Sequence, residues 1–410
     1  MKRRALLFLI LIFTSLFKGF GQPLETFIES GLKNSPLLAD LNNQKLASKL
    51  DSLLLIASYK PQINQVTQTV HYPSGTGWGY DDAITNGGSY AALLTLAKPL
   101  FVKNRIQEQL QTIELLNQTV KQNAKITIID LKKSITAQYL TAYNDYVQYQ
   151  FNKSIFDLLN KEQNTVKALV EKGVYLVTDY MNLQIVIRAQ SITINQAFIQ
   201  YKNDLSILNL ISGTVDKADL ELVKPKLGSQ YQKNIDNSPV YAQFLIDSLK
   251  NNNSKTLLNL SYRPKVNFIA DAGFNSILPQ NLSHNTGTSL GLNLSVPIYD
   301  GKQRRLELKK IDLAENTRIY YKNYYTAQYK LQYNQLIKQL ELTKNLSSEI
   351  EQQLTEQEKL IEVYRKELES GLVRFLDFIT IVNNYSSTKA TSLITENNKM
   401  QIINQLNYLK

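Results

Sequence analysis

Residues 261–274 read SYRPKVNFIADAGF, and the first seven letters have a near copy, SYKPQIN, at residues 58–64, 203 positions earlier. Other landmarks keep step with this pair. NSPLLADL begins at Asn34 and NSPVYAQF at Asn237, again 203 apart. LTLAKPLF (94–101) answers LNLSVPIY (292–299), and EKGVYLVTDY (171–180) answers ESGLVRFLDF (369–378), both at an offset of 198. One deletion of five residues, between Pro61 and Pro99 in the first copy and Pro264 and Pro297 in the second, reconciles the two offsets. Four landmarks in one order describe a duplicated architecture rather than a local motif.

The rest of the opening stretch gives the type of strand. VNFIADAGF puts Val266, Phe268, Ala270, Ala272 and Phe274 on one face and Asn267, Asp271 and Asn275 on the other. SLGLNLSV, from Ser289, sets Leu290, Leu292, Leu294 and Val296 against Ser289, Gly291, Asn293 and Ser295. Period-two alternation joined by a polar loop (LPQNLSHNTG) suits a hairpin of a membrane barrel, and it also suits the edge of a soluble sheet. In the first copy Gln62 to Tyr72 alternates poorly, and Tyr90, Ala92, Leu94 and Leu96 alternate acceptably. Four strands cannot close a barrel, which needs about eight. Open edges are forbidden in lipid, so a membrane placement requires strands from neighbouring chains.

No Gly or Pro occurs from Leu100 to Lys172 or from Lys302 to Ser370, and both segments are rich in Gln, Leu, Lys, Glu and Ile. Such segments predict helices, each a rod of about 110 Å at 1.5 Å per residue. Leu131, Ile135, Tyr139, Ala142 and Tyr146 form a stripe at three and four spacing, as coiled-coil packing requires. Each rod ends at a Gly-x5-Asp motif, Gly173 to Asp179 and Gly371 to Asp377, and breaker-free chain follows to Ser212 and to Lys410. Each rod therefore turns and comes back. The NSP motifs open shorter helices at Pro36 and Pro239, and residues 213–236, with Pro225 and Gly228, suit an irregular belt.

The chain begins with Lys2, Arg3 and Arg4 before an apolar run from Ala5 to Phe17. That run is too short to span a bilayer and has the layout of a cleavable secretory signal over residues 1–21. There is no Cys, hence no disulfide framework, thiolate metal site or lipid-accepting Cys. No later segment has 18 uninterrupted apolar residues, so no transmembrane helix is expected, which leaves a membrane barrel open. Four cations of the formal +11 charge lie in the signal, leaving +7, too diffuse to argue for nucleic acid. Two His residues, no HExxH, no P-loop and no Gly-Ser elbow argue against an enzyme, and no metal or cofactor site is expected. Lys103 and Arg105 follow Pro99, and Lys302, Arg304 and Arg305 follow Pro297, placing cations where the macrodipole of a long helix prefers acids. Lipid headgroups at a membrane interface would offset that cost, and ordinary solvated surface charge is the other reading.

Taken together, the duplicated NSP motif, the Y(K/R)P hairpin entries, the KPLF and VPIYDG exits, and the paired GVYLVTD and GLVRFLD turns resemble the TolC family of outer-membrane efflux and secretion channels. The likeness covers essentially the whole chain after the signal. It implies a mainly α fold with a small β part and two structural repeats: repeat 1 over 22–212, with its hairpin at about 61–99 and tip at 173–179, an equatorial segment over 213–236, and repeat 2 over 237–410, with its hairpin at about 264–297 and tip at 371–377.

The resemblance also implies a homotrimer in which four strands per protomer build one 12-stranded transmembrane β-barrel, continued by a long periplasmic α-helical barrel. The lipid face of the barrel would carry Val266, Phe268, Ala270, Leu290, Leu292, Leu294 and Val296, with Lys103, Arg105, Lys302, Arg304 and Arg305 as a basic collar at the membrane interface. Gly173, Val174, Asp179, Gly371, Leu372 and Asp377 would form tips that dock a periplasmic adaptor, a membrane fusion protein working with an inner-membrane transporter. Asp377 would line the entrance gate. Thr380 stands where relatives often carry a second Asp, which weakens a double acidic gate. N-capping of the return helices is an equally good reading of Asp179 and Asp377. The expected function is a passive exit duct in the outer membrane of a Gram-negative-type cell, serving efflux or protein secretion. A periplasmic coiled-coil scaffold or adaptor without a pore is the alternative.

Overall fold

The structure, a computed structural model, describes residues 22–73, 77–215, 221–228 and 234–410. The expected signal segment, 1–21, lies outside the described residues, as do 216–220 and 229–233 of the expected equatorial segment. In chain order the elements are α1 (Leu24–Asn34), α2 (Pro36–Ser58), β1 (Gln62–His71), a single turn α3 (Asp82–Thr85), β2 (Gly88–Leu100), α4 (Lys103–Glu171), α5 (Val177–Ser212), α6 (Pro239–Ser261), β3 (Lys265–Ser276), β4 (Thr286–Ser295), α7 (Gln303–Glu369) and α8 (Phe375–Asn407). The chain is mainly helical with one small sheet. Two compact units emerge. One comprises residues up to Ala39, Lys125–Ser238 and Tyr325–Lys410, and the other comprises Asp40–Ala124 and Pro239–Tyr324.

In the first unit the expected stripe on α4 is buried. Ile135, Tyr139 and Ala142 are inaccessible to solvent and pack with Leu24 and Phe27 of α1, Tyr201, Leu205 and Leu208 of α5, and Leu222. The α1 helix corrects the sequence reading, which opened the helical region only at Pro36. Leu24, Phe27 and Ile28 recur at helical spacing, and burying Phe27 alone contributes about 2–3 kcal/mol. Tyr139 ties Gln22 and Val223 to α4: its hydroxyl lies 2.9 Å from the Gln22 carbonyl and 2.7 Å from that of Val223, and accepts the Val223 N–H at 3.1 Å. Beside it Gln22 and Leu222 form a parallel bridge.

The NSP motif has a local purpose. Ser35 Oγ accepts the Leu38 N–H at 3.3 Å while Pro36 opens α2, the arrangement of an N-cap followed by proline at the first helical position. In the second copy the Ser238 hydroxyl bonds the Tyr325 hydroxyl at 2.7 Å, and Pro239 opens α6.

The second unit holds the sheet, ordered β1-β2-β3-β4 with every neighbour antiparallel. The tyrosine of SYKP fastens the end of α2, since Tyr59 Oη donates to Gln109 Oε1 of α4 at 2.7 Å. Its counterpart in SYRP, Tyr262, lies 5.6 Å beneath the Arg304 guanidinium. Two boundaries differ from expectation. β2 runs on through Lys98 and Pro99 to Leu100, paired there with β3, whereas β4 stops at Ser295 and leaves Val296 outside the strand.

Candidate functional site

On β3 and β4 the two faces of the sheet are chemically distinct, while on β1 and β2 both faces are mixed. Directly opposed residues of an antiparallel ladder share a face, so Ile63, Leu96, Ala270 and Leu290 form one apolar rung, and Lys98, Phe268 and Leu292 form the next but one. Leu290 and Leu292 are 77% and 72% exposed, with Leu294 also exposed. The other face carries a wholly polar rung, Asn64, Thr95, Asp271 and Ser289, in which Ser289 Oγ donates to the Asp271 carboxylate and Thr95 Oγ1 donates to the Asn64 carbonyl at 3.2 Å. A largely apolar exposed face backed by a mostly polar one, as on β3 and β4, is what a wall between lipid and water needs. Among the described residues no helix is long and apolar enough to cross a membrane.

The basic residues expected beside the sheet are partly satisfied within the chain. Arg105 Nη2 donates to the Leu260 carbonyl at 3.1 Å, so a cation sits at the C-terminal end of α6, where the macrodipole favours it. Arg304 Nη2 donates to Asn259 Oδ1 at 2.9 Å. Asp300 places its carboxylate over the start of α7, accepting the backbone N–H groups of Lys302 at 2.9 Å and Arg304 at 2.8 Å. The Arg304 N–H is the largest of the influences that hold the Asp300 carboxyl below the usual range. Asp300 thus supplies the anionic group that the helix start demands, a partner the sequence reading sought only in headgroups. Lys103, Lys302 and Arg305 are exposed.

The two Gly-x5-Asp turns are built alike. Gly173 and Gly371 have φ of +75° and +70°. The N–H of Gly173 reaches the Val170 carbonyl at 3.0 Å and that of Val174 the Leu169 carbonyl at 2.9 Å; the corresponding bonds in the second copy are Gly371 to Leu368 at 3.0 Å and Leu372 to Glu367 at 2.9 Å. These paired bonds around a left-handed glycine make a Schellman C-cap on each rod. The glycine ends one helix and the aspartate occupies the third position of the next, because α5 starts after Leu176 and α8 after Arg374. Neither aspartate is therefore the N-cap residue. Asp179 Oδ2 reaches back to accept the Leu176 N–H at 3.1 Å, half of a capping box, since leucine offers no side-chain acceptor in return. Asp377 instead takes the Arg374 guanidinium, Nε to Oδ2 at 3.2 Å. Thr380 donates its hydroxyl to the Leu376 carbonyl at 2.8 Å.

The two turns meet. Tyr175 Oη donates to the Val373 carbonyl, a bond between equivalent positions of the two copies. Below it Leu159, Val166, Leu183, Leu368, Phe375, Phe378 and Val382 form a buried cluster. Val174, Leu176, Leu372 and Leu376 remain exposed at the turns themselves. The sequence reading named Val174 and Leu372 but not Tyr175, whose signal, an aromatic in one copy against valine in the other, becomes visible only when the two turns touch.

No family model matches the sequence, and no curated protein does either. Solved structures do. The chain superposes on the outer-membrane channel OprN with a TM-score of 0.75 and 12% identity, over 94% of this chain and 89% of that one. The Campylobacter jejuni CmeC outer membrane channel matches with a TM-score of 0.75 and 10% identity, over 95% of this chain and 85% of that one. The open state of the Neisseria gonorrhoeae MtrE outer membrane channel matches with a TM-score of 0.74 and 11% identity, over 94% and 88%. At such identities the likeness is one of fold, and the fold is TolC-like: two helical repeats carrying four strands per chain.

Proposed function

We propose that this protein is the outer-membrane exit duct of an export system, a homotrimer that passively conducts cargo delivered by an inner-membrane transporter through a periplasmic adaptor. One observation carries the reading: a four-stranded sheet, whose β3–β4 half has one exposed, largely apolar face and one mostly polar face, has edges at β1 and β4 that are unpaired among the described residues. In lipid both edges must pair, and three chains of four strands give 12, enough to enclose a water-filled lumen. A periplasmic scaffold without a pore gives no reason for Leu290, Leu292 and Leu294 to stand exposed in one row. The fold shared with outer-membrane channels supports the same placement.

In this reading Val266, Phe268, Ala270, Leu290, Leu292 and Leu294 face lipid, and Lys103, Arg105, Lys302, Arg304 and Arg305 lie at the periplasmic headgroup level. The exposed apolar side chains around Gly173 and Gly371, Val174 and Leu372 among them, dock the adaptor. Asp377 contributes one carboxylate per chain to a ring at the entrance, softened by Arg374 beside it, and Asp179 fixes the first turn of α5. The entrance opens when the adaptor binds the open arrangement of the tips more tightly than the closed one. Energy and choice of cargo belong to the transporter.

The test is the native mass of the processed chain extracted in detergent from isolated outer membranes. A trimer is expected. A monomer or dimer released without detergent overturns the proposal in favour of a soluble scaffold.

A further inference from the structure

The strand registers obey the two sequence offsets, 203 and 198. Adding 203 to each residue of β1 and 198 to each residue of β2 converts the β1–β2 pairs into β3–β4 pairs. Gln62↔Ala97 becomes Lys265↔Ser295, and His71↔Gly88 becomes Phe274↔Thr286; both are observed. The duplication is therefore a geometric operation that the folded sheet obeys residue by residue.

The same operation applies to the β2–β3 junction, where the first copy meets the second. Moving β2 forward by 198 gives β4, and moving β3 back by 203 gives β1. Resting on the trimeric reading above, we infer that β4 of one chain pairs antiparallel with β1 of a second copy in one defined register. Thr95↔Asp271 becomes Asn293 opposite Gln68 of the second copy, Leu94↔Ala272 becomes Leu292 opposite Thr69, and Leu100↔Val266 becomes Ile298 opposite Ile63.

Two features fit this register. First, Lys98, Pro99 and Leu100 pair only with β3, beyond the last β1–β2 rung. Their counterparts Val296, Pro297 and Ile298 have no strand partner among the described residues, and Ile298 is 96% exposed. In the inferred register they meet Gln65, Asn64 and Ile63, the start of β1, so the strand end missing from the single chain is supplied by the second copy. Ile63, itself 68% exposed, is then opposite Ile298. Second, the face parity is right: Leu290, Leu292 and Leu294 share a face with Ile63 and Thr69, and Asn293 shares the polar face with Gln68. A slip of one residue would turn every side chain of one strand to the wrong face.

The absence of native cysteine makes disulfide scanning direct. Directly opposed Cβ atoms lie about 4.5–5.5 Å apart, close to disulfide reach, while those displaced by two residues are about 7–8 Å apart. Gln68→Cys is combined in the full-length protein with Gly291→Cys, Asn293→Cys or Ser295→Cys, all facing the polar side, and oxidised in isolated membranes. The in-chain counterpart, Thr95→Cys with Asp271→Cys, serves as the positive control. Gln68→Cys with Asn293→Cys is expected to convert monomer into covalent dimer and trimer with a yield several-fold above the other two combinations. A preference for Gly291→Cys or Ser295→Cys in a protein of trimeric native mass overturns the register and leaves the exit-duct reading standing. No inter-chain bond from any combination, with the control oxidised and the mass trimeric, overturns the β4–β1 pairing. A monomeric native mass overturns both the inference and the reading it rests on.

Discussion

Alanine at Gly371 and alanine at Gly173 impose the same backbone cost and different steric costs, which makes the two turns a matched experiment. Both glycines are left-handed, at φ +70° and +75°, and placing an L-residue there costs about 1–2 kcal/mol. A Cβ at Gly173 would meet nothing within 4 Å, whereas a Cβ at Gly371 would lie 2.6 Å from Val174 Cγ1. Val174 is β-branched and stiff about χ1, so moving it off its rotamer adds about 0.5–1.5 kcal/mol. Gly371→Ala should cost about 2–3 kcal/mol and Gly173→Ala about 1–2 kcal/mol. In a Val174→Ala background the cost at Gly371 should fall to that at Gly173. Hydrogen exchange of peptides spanning the first turns of α5 and α8 measures this local opening, with about tenfold faster exchange for each 1.4 kcal/mol lost. Equal effects of the two alanines in the parent background, or no relief from Val174→Ala, would refute the proposition that the two turns press on each other at this point.

Three further outcomes are expected. Leu292→Arg puts a charge on the face assigned to lipid at about 2–4 kcal/mol per chain near the midplane, so heat-resistant trimer in the outer membrane should disappear while Asn293→Arg is tolerated; equal tolerance of both would refute the facing. Arg374→Gln removes the partner of Asp377, so the reversal potential of single channels in a salt gradient should move toward cation selectivity, and an unchanged potential would take Asp377 out of the entrance. Asp145 is one pH-sensitive position. Burial first, and Asp204 beside it, push its carboxyl up to about 7. Because this folded value lies above the ordinary value near 4, the contribution of Asp145 to stability should fall as pH rises from about 4 to 7 and level off above that. Asp145→Asn should remove this part of the fall and gain about 1–2 kcal/mol at pH 8, after allowing for solvent screening of a partly exposed group. Thermal melts at pH 5 and pH 8 check this, and a gain of equal size at both pH values would count against it.

What the sequence disclosed follows from periodicity. The long helices were legible because no Gly or Pro interrupts them and because Ile135, Tyr139 and Ala142 repeat at helical spacing. β3 and β4 were legible because period two survives on them. α1 was missed because its apolar signal is only Leu24, Phe27 and Ile28 before Gly31, and it is held by Ile135 and Tyr139, more than 100 positions later in the chain. The partners of the basic residues were equally hidden. Arg105 meets Leu260 and Arg304 meets Asn259 through contacts that no local spacing encodes. Asp300 was in plain view two residues before Lys302, but its carboxylate becomes a helix-start acceptor only once the turn through Gly301 is formed.

The divergence between the copies has a physical direction. The junction inside the chain, β2 with β3, is tethered by the chain itself, so its strand end can include Lys98 and Pro99 and still find β3. In the proposed trimer the equivalent end at Val296 to Ile298 has no tether and is recognised by a second chain, and there the exposed surface is apolar. Local contacts along the helices can form before any chain meets another, since helix formation needs only nearby residues. In the proposed barrel the edges of β1 and β4 are satisfied only when copies assemble, because their backbone groups would have no acceptable partner in lipid. On that proposal insertion of the sheet and association of the chains are one step, and its rate depends on concentration while helix formation does not. Single chains should therefore accumulate as helical, uninserted species at low expression, and disappear as expression rises.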